Sequence, residues 1–422
     1  MPYYSINGGR SLDGNVSISR AKNAVLPIMC ASLMIKGKTL IRDCPKLGDV
    51  LVLADILRGF GAKLTFTPEG LLIDAQNIRN NKIDGALAGK IRASFFLVGA
   101  LISRLKIAEC PMPGGCQIGT RAIDIHLDGL KGLGVEISQE NSTIFFDGKN
   151  AKANRIKFRY PSVGATENLI MSAVFLEGDT FIENCAQEPE VKDLCDFLNR
   201  AGAKIYGGGT GFIRITGVKN LHTEIDYLPI PDRIETGTFL LATYLLGGKV
   251  RLDGAKPENI FYLIKNNPNN TCKNTTNYVN IYSESIYIVS DGCPKAFGDI
   301  ICAPYPLFPT DLQPLVTTVS AFLQGTTKIT ETVFDSRFSY LEQLKRMGAD
   351  FTLKDNVVTV TGKSLTGCTV TAEDLRGGAA LVLAGLKAKG HTKVLGAQHV
   401  MRGYLDFDKK LKSLGADITL KD

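Results

Sequence analysis

The chain has 422 residues, 44% hydrophobic and 22% charged, with a formal net charge of +7 at pH 7. Those proportions exclude a disordered or low-complexity chain and fit a globular protein long enough for two or three domains. No apolar run reaches the roughly 18 residues of a membrane span, and the opening MPYYSINGGRSLDG has neither the basic nor the apolar part of a secretory signal. A cytoplasmic protein with no membrane or nucleic-acid partner is expected, because the basic residues are spread out rather than gathered in a stripe.

Ten cysteines stand at 30, 44, 110, 116, 185, 195, 272, 293, 302 and 368, with no C-x-x-C pair, and the four histidines are scattered. That spacing argues against a disulfide framework and against a metal site. Most of these cysteines are expected as small buried hydrophobes.

In chain order, YYSINGGRSLDGNVSI reads as strands, and ISRAKNAVLPIMCASLMI (18–35) as a helix with a polar start and an apolar body. Lys22 and Asn23 stand at that start, where a cation, an amide and free backbone N–H groups suit an anion; a solvated lysine and a capping asparagine are the plain alternatives. LRGFGAKLTF (57–66) follows: a helix end, a glycine and an alternating strand. The phrase returns as LKGLGVEISQ (130–139), LNRAGAKIYG (198–207), LKRMGADFTL (344–353) and LKSLGADITL (411–420). Glycine at each junction suits a left-handed helix end. A second strand follows each phrase except the last, giving a helix and hairpin per unit. One 146-residue gap between junction glycines (202 to 348) hides a further copy, for which the Asn-rich stretch 261–284 has the right place.

Between these phrases lie the candidate site residues. Arg92 precedes the apolar run in KIRASFFLVGALI (90–102). CPMPGGCQIGTR (110–121) holds Cys116 among prolines and glycines that favour an exposed turn. Nearby Arg121 would lower the pKa of that thiol, although a bystander thiol remains open. GGGTG (207–211) reads as a hairpin turn. In PSVGATENLIMSAVFLEG (161–178), Ser162, Gly164 and Thr166 offer donors, and Glu167 is read as doing no more than capping. PDRIETGTF and PTDLQ bring Asp232 and Asp311 to helix starts. Asp311 suits either an N-cap or a general base. Arg337, Arg376 and Arg402 follow in TVFDSRF, EDLRGGAAL and HVMRGYL. Six polar-headed helices, bundled by threes, would face a cleft rich in cations, fit for a polyanionic substrate.

The last repeat ends at Asp422 without a return strand, and the N-terminal stretch has the form of the missing piece. Residues 1–19 are therefore expected to complete it, giving one domain over 20–230, with a loop at about 111–121, and a second from 1–19 plus 231–422.

AKNAVLPI, RAS, PGGCQIG-R, PSVGATEN, PDRIETGTF, FPTDLQ, ETVF–RF, DLR-GAALVLAGL and RGY, taken together over nearly the full chain, resemble the enolpyruvyl transferases, in particular those acting on UDP-N-acetylglucosamine. The resemblance implies an inside-out α/β barrel: two domains, each of three repeated helix-plus-sheet units with pseudo-threefold symmetry. It implies transfer of enolpyruvyl from phosphoenolpyruvate to a sugar 3′-hydroxyl with release of phosphate, without metal or organic cofactor, by an enzyme expected to be a monomer with small-molecule partners. On the same basis Cys116 would be the loop thiol and general acid, open to fosfomycin, and Asp311 the base near the sugar hydroxyl. Lys22, Arg92, Arg121 and Arg402 would hold phosphate and carboxylate, and Asn23 the sugar. Arg121, Ala122, Ile123, Asp124 and Ile125, with Ser162, Val163 and Gly164, would hold uridine and diphosphate. Val333, Arg337, Asp374 and Arg376 would line the second domain's side. Arg20, Gly48, Leu307, Val400 and Met401 depart from the family's usual residues. They keep alive an enzyme acting on another uridine nucleotide; a non-catalytic UDP-sugar binder is the third reading.

Overall fold

A computed structural model describes residues 1–112, 123–260, 262–263, 278–292 and 295–422. Cys116, Arg121 and Ala122, most of the Asn-rich stretch, Cys272 and Cys293 lie outside the described residues. The described residues form two compact units, 20–230 in one and 1–19 with 231–422 in the other.

In the 20–230 unit, helix Lys22–Ser32 packs on helix Leu97–Leu105, which packs on helix Val163–Ala173. In the other unit, helices Arg233–Leu246, Gln313–Ser320 and Leu375–Lys387 pack pairwise. Arg233–Leu246 and Gln313–Ser320 are buried along their whole length. A helix buried on every side offers no face to water and is wrapped by other elements, several of its polar side chains bonding within the unit. Small residues let these helices come close. A Cβ on Gly99 would stand 2.3 Å from the Asn168 carbonyl oxygen, while the Gly99 N–H donates to Asn168 Oδ1 at 2.6 Å. Asn168 thereby satisfies one of the free N–H groups in the first turn of the neighbouring helix.

Sheets wrap each trio. In the 20–230 unit the strand orders are Glu224–Tyr227, Lys38–Arg42, Gly70–Asp74, Lys63–Thr67, and Arg155–Lys157, Asp179–Glu183, Phe212–Thr216, Lys204–Tyr206. The third sheet has three strands, Ile107–Pro111, Thr143–Asp147 and Glu136–Glu140. Its edge is joined by Lys82 in a parallel bridge to Glu109, where the other sheets have a fourth strand. The second unit repeats the pattern with Leu12–Ser17, Gly248–Asp253, Ser285–Ser290, Tyr278–Tyr282, and with Asp299–Cys302, Thr326–Glu331, Val357–Thr361, Asp350–Lys354. Each four-stranded sheet has one parallel edge pair and two antiparallel pairs. Alternation of buried and exposed residues, as in Asp299–Cys302, turns one face inward and the other to solvent. Helices inside and sheets outside are the inside-out α/β architecture, three helix-plus-sheet repeats to a unit.

The last sheet is closed by the chain's own two ends. Strand Asp417–Lys421 pairs antiparallel with Tyr3–Asn7, which pairs on its other side with His391–Leu395. Ile6 lies opposite Ile418, both fully buried to within 1%; burying such a side chain contributes about 1.5–3 kcal/mol. The junction glycines 61, 134, 202, 348 and 415 all have φ between +83° and +99°, the left-handed geometry a helix end needs and other residues adopt at a cost.

Candidate active site

Lys22 is the first residue of its helix, and its ammonium is buried: Nζ donates to Asp49 Oδ2 at 2.9 Å, the side chains being 9% and 11% exposed. This lysine is not a solvated one. Asn23, next to it, is exposed, and Ala21 rather than Asn23 occupies the cap. Arg92 opens a short 3-10 turn ahead of the Leu97–Leu105 helix, half-buried, and burial works against its charge and lowers its pKa.

Arg92 bears on His126, which lies in helix Asp124–Gly132. Burial first, and the Arg92 charge second, pull the His126 pKa down to about 3. The imidazole is therefore neutral at pH 7. Asn168 Nδ2 lies 3.2 Å from His126 Nδ1 and 3.1 Å from the Phe95 carbonyl oxygen. Because an amide nitrogen only donates, Nδ1 accepts and the imidazole proton sits on Nε2. The ring stands edge-on to Phe95, and a Cβ on Gly164 would come 3.1 Å from Nε2.

Ser162 caps the Val163–Ala173 helix, its Oγ accepting from the Ala165 N–H at 3.4 Å, so Val163 and Gly164 form the first turn. Ile123 precedes, and Asp124 begins, the helix that carries Ile125 and His126; Asp124 pairs with Arg159, which also reaches Asp128. Glu167 does not cap. It is 1% exposed, neither carboxyl oxygen has a hydrogen-bond partner, and burial together with Glu190 and Glu188 raises its pKa well above the usual range. Local sequence favoured a cap because Glu lies in the first turns; the helix instead points that face into the core.

In the second unit, Asp311 sits inside a 3-10 turn, Thr310–Leu312, whose cap is Pro309, so Asp311 is no N-cap. Two guanidinium groups, each on a side chain only 4% exposed, converge on it: Arg337 Nη2 donates to Oδ1 at 2.5 Å and Arg376 Nη2 to Oδ2 at 3.1 Å. Arg376 also lies over the Tyr404 ring at 5.2 Å. Arg337 Nη1 donates to Thr310 Oγ1 at 2.8 Å. Asp374 caps the Leu375–Lys387 helix, Oδ1 accepting from the N–H groups of Arg376 and Gly377 at 2.9 Å each. Asp232 caps Arg233–Leu246 likewise. Val333 and Arg402 are half-buried, Arg402 at the end of the Ala397–Met401 helix. The arrangement in this unit is a partly exposed carboxylate, 27% accessible, set on two buried cations.

Sequence reasoning missed Asp49, His126, Thr310, Glu331 and Tyr404. Thr310, Glu331 and Tyr404 stand within FPTDLQ, ETVF and RGY, but a partner of each of the five lies far along the chain, where no local pattern points to it. Six of the seven described cysteines are buried, and burial raises the pKa of each, Cys44, Cys110 and Cys185 to about 12. They are thiols that take no part in nucleophilic chemistry. Among the described residues no group of three or more His, Cys, Asp or Glu is placed to hold a metal ion, and no helix is long and apolar enough to cross a membrane.

Residues 6–411 match the family model of EPSP synthase (3-phosphoshikimate 1-carboxyvinyltransferase). The chain is 44% identical over 419 residues to UDP-N-acetylglucosamine 1-carboxyvinyltransferase 2 of Caldanaerobacter subterraneus subsp. tengcongensis, covering 99% of each. It is 42% identical over 422 residues to UDP-N-acetylglucosamine 1-carboxyvinyltransferase 1 of Clostridium acetobutylicum, again covering 99% of each. Among solved structures, the enolpyruvyl transferase NikO of Streptomyces tendae superposes with a TM-score of 0.86 at 25% identity, over 100% of this chain and 99% of that one. EPSP synthase of Acinetobacter baumannii, at 18% identity and a TM-score of 0.74 over the whole of both chains, shares the fold. Wrapped helix trios, six junction-built sheets and likeness along the whole length lead to one conclusion: the chain belongs to the enolpyruvyl (1-carboxyvinyl) transferase family.

Proposed function

We propose that this chain transfers the enolpyruvyl group of phosphoenolpyruvate to the 3′-hydroxyl of UDP-N-acetylglucosamine, the step that commits the sugar nucleotide to peptidoglycan precursors. The observation that carries the reading is identity of 44% and 42%, over the full length, to chains named for that activity. In the reaction the sugar oxygen bonds to C2 of phosphoenolpyruvate while a proton is added at C3. The tetrahedral adduct then loses a C3 proton and expels phosphate, leaving an enol ether. Both substrates are anionic and the expulsion of phosphate gathers negative charge on the leaving oxygens, so preformed cations in a water-poor setting hold the reactants and lower that barrier.

The buried Lys22 and half-buried Arg92 of one unit suit that task, and Arg121 and Arg402 join them in the proposal. Asp311 is the base for the sugar hydroxyl, oriented by Arg337 and Arg376. Cys116 is the general acid at C3. Asn23 takes the sugar; Arg121 to Ile125 (Ala122, Ile123 and Asp124 between) and Ser162 to Gly164 take uridine and diphosphate; Val333, Asp374, Arg337 and Arg376 complete the second unit's side. The enzyme is read as a cytoplasmic monomer with small-molecule partners.

The departures at Arg20, Gly48, Leu307, Val400 and Met401 keep a different uridine nucleotide as acceptor for the second reading. Phosphate release by the purified protein, with phosphoenolpyruvate and a panel of uridine nucleotides, tests both. Turnover with UDP-N-acetylglucosamine is the expected result. Turnover confined to another uridine compound selects the second reading, and tight nucleotide binding without turnover defeats both.

A further inference from the structure

Glu331 is the last residue of strand Thr326–Glu331, is fully buried, and has three hydrogen-bond donors on one carboxylate. Its Oε1 accepts from the backbone N–H groups of Val333 at 2.8 Å and Phe334 at 3.3 Å. Its Oε2 accepts from the Thr310 hydroxyl at 2.7 Å. The same Thr310 oxygen accepts from Arg337 Nη1 at 2.8 Å, and Arg337 Nη2 holds Asp311. Carboxylate, hydroxyl, guanidinium and carboxylate thus form one chain, in which the direction of every hydrogen is fixed by the residue types. Arg337 only donates, so the Thr310 oxygen must accept from it and spend its own proton on Glu331.

We propose that Glu331 is a positioning residue of the transferase reaction: it locks the Thr310–Leu312 turn to the Val333–Arg337 segment and so sets the angle at which Asp311 is presented. The inference rests on the proposed function for its catalytic consequence, but the lock itself is a property of this unit alone. A carboxylate is needed, not merely a polar group. An amide at this position accepts from Val333 and Phe334 with its oxygen, but turns an N–H toward the Thr310 hydroxyl, whose proton then has no acceptor. A negative charge there also balances the buried guanidinium of Arg337, which one carboxylate at Asp311 shares with Arg376. Burial pushes the Glu331 pKa up, while Thr310, the Val333 N–H and Arg337 act against that rise.

The test compares Glu331→Gln with Thr310→Val and Thr310→Ser in the full-length protein, by amide hydrogen exchange, thermal unfolding and steady-state kinetics. Glu331→Gln and Thr310→Val are expected to speed exchange at Val333 and Phe334 by about tenfold, with exchange in the body of strand Thr326–Glu331 unchanged. Both are expected to lower kcat by about ten- to a hundredfold, with a smaller change in KM, and to shift the limb of the pH–rate profile that reports the base. Thr310→Ser keeps the hydroxyl and should behave as the natural protein. The double variant Glu331→Gln/Thr310→Val should lose no more than either single one. Unchanged exchange at Val333 and Phe334, or losses that multiply in the double variant, overturn the proposal. If the natural protein turns over no uridine nucleotide, the functional reading has failed, and the exchange data still decide whether Glu331 holds the segment.

Discussion

Asp311 and Arg337 are 26 residues apart in the chain, yet Arg337 Nη2 lies 2.5 Å from Asp311 Oδ1, a buried cation under a partly exposed carboxylate. Arg376 holds the other oxygen from 65 residues away. Asp311→Asn keeps the shape and removes the charge both arginines face. Turnover is expected to fall on the order of a hundred- to ten-thousand-fold, and stability by about 1–3 kcal/mol. A phosphate-release assay and a urea melt read the two effects separately.

Lys22 and Asp49 give a second pair to probe. Lys22→Ala takes the ammonium from a carboxylate that is 11% exposed, and a destabilisation of about 1–3 kcal/mol is expected. Lys22→Arg keeps the charge but exchanges a compact head for a planar fork, so stability should recover further than turnover. Recovery of full turnover by Lys22→Arg would show that charge alone is needed there.

His126 makes the fold sensitive to acid. Its pKa is near 3 in the folded chain against 6.5 when exposed. The unfolded chain therefore takes up a proton before the folded one does. The stability contributed by the neutral ring is present above pH 6.5 and is lost as pH falls from there toward 3. His126→Gln should flatten the acid side of the curve of unfolding free energy against pH. A curve parallel to that of the natural protein would count against the assignment.

Glu167 works in the opposite direction. Its folded pKa is raised well above the 4.5 of an exposed glutamate, so the stabilisation relative to an ionised carboxyl is full below pH 4.5 and declines as pH rises through the folded pKa. Its two oxygens have no partners, and an apolar side chain of similar size spares that cost. Glu167→Leu is expected to raise the unfolding free energy by about 1–3 kcal/mol, and by more at pH 8 than at pH 5. Thermal melts at the two pH values measure the difference.

The repeats were legible because their signals are local. A helix that ends on glycine, and a hairpin whose side chains alternate, are fixed within about a dozen residues by backbone sterics and by the period of burial. The junction glycines at 61, 134, 202, 348 and 415 all have the left-handed conformation that their place in the phrase required. The helices with a polar start and an apolar body were legible for the same reason, and the family's motifs pointed to the inside-out architecture. The roles of polar residues at helix starts were not. Ser162, Asp232 and Asp374 cap their helices, whereas Asp311 and Glu167, in similar local settings, do not. A cap is satisfied by its own first turn, but whether an alternative partner exists depends on what another repeat brings near.

The sequence by itself determined the repeating unit, the family and the polar residues available at each helix start. Tertiary structure alone decided which of them meet. Lys22 finds Asp49, Asp311 finds Arg337 and Arg376, and Glu331 finds Thr310, all across separations that no periodicity encodes. The physical reason is that hydrogen bonds and ion pairs reach only a few ångströms. Their partners are chosen by how the sheets and helices pack, and packing is a property of the whole unit.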